Sequence, residues 1–344
     1  MLYISVDDIE PGQHLGKTVY SANGTALLSA GIQLTVFMIN TLRRIGVTML
    51  YIQDDNYEDV EPEEVLSEAT KQAVFREMSD TLQIIRSGKE WSARKVSASV
   101  DSLLNDVLGN KEALLQLTDI RTADNAAYLH AVNVCLISSM IGLNMGLNFS
   151  QLKDLAIGAM LHDIGKATLT SDDVISGDPK DHHTWRGYEL LRHKREFNLL
   201  IAHAALQHHE RPDGAGIPRG IAGDEIHLFA RIVAVANMYD NLISGGGKDG
   251  RRMLPHEACE HLMACSEHEL DHEVLVEFTR IISVYPNGTS VRLSTKETGV
   301  VVRQHRGLPG RPVIRIVRGT GDDMNVSEID LAKETTLFIE GVLA

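Results

Sequence analysis

The most informative part of the chain is 208–218, which reads HHERPDGAGIP. A second dense motif, at 162–166, reads HDIGK and closes an apolar segment upstream. Imidazoles supply neutral nitrogen ligands, and a carboxylate can bridge two cations or bind one. Adjacent histidines and a His-Asp pair therefore suit a site with more than one metal ion. The two motifs together predict a metallohydrolase.

The charge composition of the chain limits which partners we expect it to bind. The 344 residues include 33 basic and 47 acidic ones, which gives a net charge of −14. This acidic balance argues against a nucleic-acid polymer or an anionic membrane as partner, because such binders normally present a basic face. A small anionic ligand, held by a local cluster of cations and metal ions, is compatible with it.

Several features predict a cytoplasmic location. The three cysteines, Cys135, Cys259 and Cys265, stand in apolar, helix-like contexts without a CxxC pair, as reduced core thiols do. The N-terminus lacks the basic and apolar regions of a signal peptide. The most apolar stretch, 132–143, is shorter than the ~20 residues that a membrane-spanning helix needs.

The pattern along the chain predicts a mainly α fold, with a helical-bundle domain between two smaller ones. Residues 1–53 are expected to form a small α+β domain, and 54–64 an acidic linker. Residues 65–118 read as connecting amphipathic helices and 119–284 as the helical domain that carries the motifs. Ser150 is expected to cap a helix there and Gly165 to supply its C-terminal turn. Residues 285–344 alternate β-like runs with turns and predict a small β-rich appendage.

Further polar side chains stand at apolar or terminal places of the predicted helices. His130 lies in the apolar helix over 126–143, and His183 begins another helical segment. Asn237 and Asp240 lie inside a fourth apolar helix. One alternative is that each group caps or solvates its own helix. A buried imidazole or carboxylate is costly without partners, however, and one shared metal site explains them all together.

The order of these residues resembles the HD-GYP family, a branch of the HD phosphohydrolases. Three segments carry the resemblance: HDIGK at 162–166, HHERPDGAGIPRG at 208–220 and ARIVAVANMYD at 230–240. It implies an all-helical core, a centre of two or three iron or manganese ions, and hydrolysis of cyclic di-GMP. In that reaction the ions and Lys166 would neutralise the charge of the phosphate.

The resemblance also implies roles for individual residues. The metal ligands would be His130, His162, Asp163, His183, His208, His209 and, in place of the family's last Asp, Asn237. Asp163 would bridge the ions, and Asp163 and Lys166 would be the catalytic residues. The substrate contacts would be Lys166, Ile217, Arg219 and Asp240. For Arg219, a solvated position in the loop is the equal alternative.

The chain departs from the family pattern at several positions. Asn237 replaces a charged ligand, and Ile217 replaces the signature Tyr. Ala126 stands where members with a third metal carry Glu, which favours two metal ions. The segment 166–183 is short, and 248–251 reads KDGR in place of the common RxYR element. These departures predict weaker metal binding and reduced activity.

Three functions are compatible with this pattern. The first is a metal-dependent phosphodiesterase that hydrolyses cyclic di-GMP to pGpG or GMP in bacterial second-messenger signalling. The second is a degenerate, non-enzymatic regulator that binds a nucleotide or a protein partner. The third is an HD phosphohydrolase for another nucleotide. The amphipathic stretch 65–108 predicts a homodimer, with packing on its own chain as the equal alternative.

Overall fold

The computed structural model describes residues 1–20, 26–117, 125–169, 179–245, 252–319 and 325–343. The chain divides into two compact units, each built from separate parts of the sequence. The central unit comprises Val65–Lys111 and Ala127–Thr279, and the terminal unit comprises Met1–Glu64, Glu112–Ala126 and Arg280–Ala344. Two segments of note lie outside the described residues: 21–24, where the Asn-Gly pair predicts a hairpin turn, and 248–251.

Ten α-helices occur in the described parts of the chain, and most of them belong to the central unit. In chain order they are α1 Val36–Arg44, α2 Glu68–Arg86, α3 Ala93–Gly109, α4 Ala126–Asn144, α5 Phe149–Met160, α6 His183–Arg192, α7 Leu199–Gln207, α8 Leu228–Ser244, α9 Pro255–Ala264 and α10 His272–Ile281. Short 3-10 helices span Asp55–Tyr57, Ile164–Thr168, Pro179–Asp181 and Gly223–Glu225. The mainly helical fold that the sequence predicts is confirmed.

Helix α7 is a packing centre of the central unit, where it contacts α5, α6 and α8. Helix α3 packs on α2 and α5. The apolar stripe of α3 is buried, with Val100, Leu103 and Leu104 showing no exposure to solvent. The amphipathic stretch 65–108 therefore packs on its own chain, which was the alternative to a homodimer.

Helix α4 is apolar on nearly all sides. It is the one described helix that is long and apolar enough to cross a membrane, and 78% of its apolar window is buried inside the protein. Val134, Cys135 and Ile137 show no exposure at all. A helix that is hydrophobic all round and enclosed by its own chain has the character of a core helix.

The start of α5 corrects one predicted helix cap. Asn148, not Ser150, is the N-cap, and Ser150 lies in the first turn. The Asn148 side chain accepts a hydrogen bond from the backbone N–H of Gln151 at 3.1 Å. The Gln151 side chain accepts one in return from the backbone N–H of Asn148 at 3.0 Å. This reciprocal pair is a capping box, and it satisfies two donors where Ser150 would satisfy one.

The terminal unit contains the described strands. They are β1 Leu2–Ser5, β2 Val19–Tyr20, β3 Ala26–Leu28, β4 Met49–Ile52, β5 Ser290–Leu293, β6 Thr298–Arg303, β7 Val313–Arg318, β8 Asn325–Asp330 and β9 Ile339–Val342. The last five form one antiparallel sheet in the order β8-β7-β6-β5-β9. Strands β1 and β4 form one antiparallel pair, and β2 and β3 form another. The predicted β-rich appendage is confirmed by the five-stranded sheet.

The predicted small domains at 1–53 and 285–344 each have an apolar core of their own, and both lie in one compact unit. The backbone N–H of Tyr3 donates to the carbonyl oxygen of Gly288 at 2.9 Å. In the predicted acidic linker at 54–64, Tyr57 and Val60 are buried in one cluster with Val300. Although the segment is acidic overall, these two apolar side chains pack into the core of this unit.

Candidate metal centre

Six side chains predicted as metal ligands meet in the central unit, most of them at a helix end. Their positions are His130 in α4, His162 and Asp163 just after α5, His183 at the start of α6, His208 at the C-cap of α7, and His209 next to it. Two groups could each hold a metal ion, one of His130, His162 and Asp163, the other of His183, His208 and His209. Within each group the ligand atoms lie within 4.8 Å of one another.

Asp163 lies between the two groups and presents one carboxylate oxygen to each. Its Oδ2 is 3.6 Å from His130 Nε2 and 3.5 Å from His162 Nε2. Its Oδ1 is 3.2 Å from His183 Nε2 and 3.7 Å from His208 Nε2. A carboxylate so placed can be shared by two cations.

Two of the imidazoles are oriented by the helix that precedes them. His162 Nδ1 lies 2.7 Å from the carbonyl oxygen of Ala159, and His208 Nδ1 lies 2.8 Å from that of Ala205. A carbonyl oxygen can only accept, so each Nδ1 carries the hydrogen and donates it. In the neutral ring this leaves a lone pair on Nε2, directed at the centre of the site.

The donor set fits divalent cations. His130 Nε2 and His162 Nε2 lie 3.2 Å apart, and His183 Nε2 and His208 Nε2 lie 3.4 Å apart. Nitrogen lone pairs this close repel each other unless a proton or a cation lies between them. Imidazole nitrogens together with one carboxylate are a common ligand set for first-row metal ions. The residues present are therefore suited to a pair of such ions.

The charge states at the site are those that metal binding requires. Burial lowers the pKa of His162 well below 6.5 and that of His209 to about 2, so both rings are neutral near pH 7. Burial acts to raise the pKa of Asp163, yet that pKa lies well below the usual value, and the Lys166 ammonium that contacts Oδ2 is a positive charge that acts to lower it. Neutral imidazoles and an ionised carboxylate can bind a cation without first losing a proton.

A close backbone contact places His183 in the site. A Cβ atom on Gly165 would lie 2.0 Å from the carbonyl oxygen of His183 and 2.6 Å from the backbone nitrogen of Gly187. Only glycine permits this approach of the HDIGK segment to α6. The predicted role of Gly165 as the C-terminal turn of α5 is wrong, because α5 ends at Met160 with Leu161 as its C-cap, and Gly165 lies in the following 3-10 helix.

The loop at 210–221 is held by a buried carboxylate that the sequence reasoning gave no role. Glu210 is 3% exposed. Its Oε1 accepts from the backbone N–H of Arg219 at 2.9 Å, and its Oε2 accepts from that of Ile221 at 3.2 Å. A Cβ on Gly216 would lie 2.4 Å from the backbone nitrogen of Arg211, so the loop folds back tightly on its own start. Glu210 and Gly216 thus shape the loop.

The side chains of the predicted substrate contacts in this loop point to solvent. Ile217 is 49% exposed, and Arg219 is exposed as well. Burial, and to a lesser degree the charge of Arg219, lower the pKa of His203 on α7, which places Arg219 near that helix. The structure brings neither residue into the two groups of ligands.

The position of Asp240 contradicts its predicted role as a substrate contact. Its side chain has no exposure to solvent, and its Oδ2 lies 2.6 Å from His130 Nδ1. Its Oδ1 accepts a hydrogen bond from the Asn133 side-chain amide at 2.8 Å. Asp240 therefore holds the distal nitrogen of a ligand histidine, as the supporting carboxylates of metal sites do. Its burial leaves no surface for a nucleotide.

Asn237 lies one turn before Asp240 in α8, and it is 7% exposed. Its side-chain oxygen accepts a hydrogen bond from the Asn241 amide at 2.8 Å. Residues three apart share a helix face, so Asn237 is on the side of α8 that presents Asp240. Its role as a neutral metal ligand stays a prediction.

Two cationic or polar side chains border the ligand groups. Lys166 Nζ donates to Asp163 Oδ2 at 2.5 Å while its side chain remains 56% exposed. His182, which the sequence reasoning missed, has its ring centroid 4.2 Å from that of His183 and 5.9 Å from that of His209. The signal was present, since His182 and His183 form a pair like the one at 208–209.

A helical domain with histidines and an aspartate gathered into a metal centre defines the HD-domain class of proteins. The HD domain family model matches residues 103–274, half of the chain. The chain belongs to this HD-domain family. A second family model, described as a KOW domain associated with the HD domain, matches residues 290–344, which contain the five-stranded sheet.

Known proteins resemble the chain over different lengths. A cyclic di-GMP phosphodiesterase of Pseudomonas aeruginosa is 30% identical over 258 residues, which are 72% of this chain and 60% of that protein. A 3'3'-cGAMP-specific phosphodiesterase of Vibrio cholerae is 26% identical over 166 residues, 46% of this chain and 36% of that protein. The chain thus spans less than two thirds of either relative. An HDG"Y"P protein from Bdellovibrio bacteriovorus has a similar fold, with a TM-score of 0.50, 18% identity, and coverage of 80% of this chain and 97% of that one.

Proposed function

We propose that the chain is a metal-dependent phosphodiesterase that hydrolyses cyclic di-GMP to pGpG or GMP in bacterial second-messenger signalling. The observation that carries this proposal is the position of Asp163, with one oxygen toward each group of histidines. Hydrolysis of a phosphodiester requires positive charge beside the phosphate, and the residues around Asp163 are suited to bind cations. The relative that acts on cyclic di-GMP supports the choice of substrate.

The proposed cofactor is a pair of divalent ions, iron or manganese. One would be held by His130, His162 and Asp163, and the other by Asp163, His183, His208 and His209, with the Asn237 carbonyl oxygen as a further ligand. When bound, such ions offset phosphate charge and lower the pKa of a coordinated water. Nitrogen and carboxylate ligands together suit iron and manganese, since imidazole favours the first and carboxylate the second.

The residues around the proposed ions would bind and orient the substrate. Asp163 remains ionised, and the Lys166 ammonium beside it is exposed enough to turn toward a phosphate oxygen. A positive group at that place stabilises charge that develops on the phosphate during hydrolysis. Ile217 and Arg219, on the loop held by Glu210, would contribute contacts at the rim.

The test of this function is a hydrolysis assay with cyclic di-GMP, run anaerobically with Fe(II) or Mn(II) and analysed for pGpG and GMP. The variant His208→Ala removes a buried ligand of one ion and should lower the metal content and abolish turnover. The matched control is His193→Ala, whose side chain is 72% exposed at the C-terminal end of α6. Equal turnover by wild type and His208→Ala would refute the proposed centre.

The second candidate is a non-enzymatic regulator that binds a nucleotide or a protein partner. The neutral Asn237 in the buried face of α8 and the exposed Ile217 in place of Tyr favour it. Binding of cyclic di-GMP by metal-loaded protein without turnover would identify this function. Turnover of 3'3'-cGAMP but not of cyclic di-GMP would identify the third candidate, an HD phosphohydrolase for another nucleotide.

We also propose a cytoplasmic location and, as the alternative to a monomer, a homodimer. All three cysteines are free thiols, and two of them are buried, in keeping with a reducing compartment. Cell fractionation tests the location. Sedimentation of the metal-loaded protein at several concentrations tests the dimer.

A further inference from the structure

Helix capping alone does not explain why a histidine occupies position 182. It is the N-cap of α6, and its side chain accepts from the backbone N–H of Thr184. Asn, Asp, Ser and Thr perform this duty best and with shorter side chains. An imidazole here adds a second nitrogen, Nε2, that capping does not use.

The hydrogen bonds of His182 define which nitrogen carries the hydrogen. Its Nδ1 lies 3.4 Å from the Thr184 backbone nitrogen and 2.8 Å from Thr184 Oγ1. A backbone N–H can only donate, so Nδ1 accepts and bears no hydrogen. The hydrogen of the neutral ring is therefore on Nε2. Within the residues that the structure describes, no hydrogen bond uses that Nε2–H group.

His182 lies next to one of the two ligand groups. Its ring is half-buried and lies against His183 and His209, both in the same ligand group. The Lys166 ammonium and the Asp163 carboxylate both act on this ring. A phosphate bound beside the ligand group of His183 and His209 would lie near the His182 ring, whose centroid is 4.2 Å from that of His183.

We propose that the Nε2–H of His182 donates a hydrogen bond to a phosphate oxygen of the bound cyclic dinucleotide and so positions the substrate. This inference rests on the proposed function, because it needs a phosphodiester at the metal centre. His182 would be a neutral donor next to cationic ones, and its geometry is fixed by Thr184. It would not be a ligand of the ions, since it lies outside both ligand groups.

Two variants separate this role from capping. His182→Ala removes the cap and the donor together. His182→Asn keeps an oxygen that can accept from the Thr184 N–H, but it lacks the reach of Nε2. If His182 positions substrate, His182→Asn should restore the thermal stability lost in His182→Ala and still raise the Kd and KM for cyclic di-GMP about ten- to a hundredfold. The metal content should equal that of wild type.

The measurements are metal content by elemental analysis, Kd by calorimetry with cyclic di-GMP on Mn(II)-loaded protein, and KM and kcat by product analysis. Wild-type affinity in His182→Asn overturns the inference and leaves capping as the only role. Loss of metal in His182→Asn also overturns it, because His182 would then act through the ions. If wild type binds cyclic di-GMP without turnover, the proposed enzyme fails while the Kd comparison still decides this inference. Wild type that does not bind the nucleotide overturns both.

Discussion

Asp240 Oδ2 lies 2.6 Å from Nδ1 of His130, and the carboxylate of this pair has no exposure to solvent. A carboxylate in this position makes Nδ1 the hydrogen-bearing nitrogen and directs the Nε2 of His130 toward Asp163. Supporting partners of this kind raise the basicity of the ligand and fix its orientation. The pair therefore contributes to metal affinity without touching the ion.

Replacement of Asp240 by Asn should lower the affinity for Mn(II) by about 10- to 100-fold, because the amide carries no charge to support His130. Competition with a chelator of known affinity measures this. The control Asp154→Asn changes a carboxylate on α5 that accepts from the Asn198 amide at 2.9 Å. Equal affinities in wild type, Asp240→Asn and the control would contradict a supporting role.

Replacement of Asn237 by Asp should raise metal occupancy and, with it, turnover of cyclic di-GMP. The change adds one negative charge on the buried face of α8, and charge on a ligand strengthens its hold on a cation. Elemental analysis and turnover are measured on the same preparation, with Asn105→Asp on the exposed face of α3 as the control for added charge. Full occupancy in wild type, with no gain in either quantity, would favour the non-enzymatic regulator.

Replacement of Gly165 by Ala should destabilise the protein by about 1–3 kcal/mol, since the new Cβ must displace the backbone of His183. The same displacement should weaken metal binding. Gly109→Ala at the end of α3 is the matched control, because a Cβ there meets nothing within 4 Å. Urea unfolding with and without metal measures both effects. Similar stability of the two variants would show that α6 can move away at little cost.

The ion pair of Asp59 and Arg315 in the terminal unit should make stability depend on pH. Asp59 forms two contacts of 2.7 Å with the guanidinium, whose hydrogen bond is the main reason that the pKa of this carboxyl falls from 3.8 to about 2. A lowered folded-state pKa stabilises the protein above about pH 4, and this contribution is lost as the pH falls toward 2. Because Asp59 is 66% exposed, we expect less than about 1 kcal/mol.

The variant Asp59→Asn should accordingly be slightly less stable than wild type at pH 7, and the difference should shrink at pH 3. Urea unfolding at both pH values measures it, with Asp8→Asn as an exposed control in the same unit. A difference that grows on acidification has the opposite sign and would rule out this pair as its source.

The sequence predicted the site better than it predicted the details of its support. Histidines and a carboxylate at the ends of apolar helices are visible without coordinates, because burial of such groups demands a shared partner. The tight approach of Gly165 to α6 is not visible, since it depends on two segments that meet only in three dimensions. Asp240 was assigned to the substrate for the same reason: the motif shows its residue type, but not that it is enclosed beside His130.

The fold shows a similar division. Helical periodicity located the apolar helices. It did not locate the N-cap of α5, because Asn148 and Ser150 are both suitable residue types and the two hydrogen bonds between Asn148 and Gln151 appear only in the structure. Strand β8 reads NVSEID, which lacks the alternation of apolar and polar residues that marks a strand, and none of its residues is fully buried. Its place in the sheet comes from backbone pairing with β7, which a pattern of side chains does not encode.

The terminal unit is drawn from both ends of the chain, and synthesis on the ribosome must therefore begin it early and finish it late. Every residue of the central unit has been translated once Thr279 is added, so all the proposed metal ligands are available before the five-stranded sheet exists. Tyr57 and Val60 are translated before the central unit, and their partner Val300 is translated after it. During that interval these two apolar side chains lack Val300 as a packing partner. Nascent chains with apolar surface exposed in this way are the ones that chaperones assist.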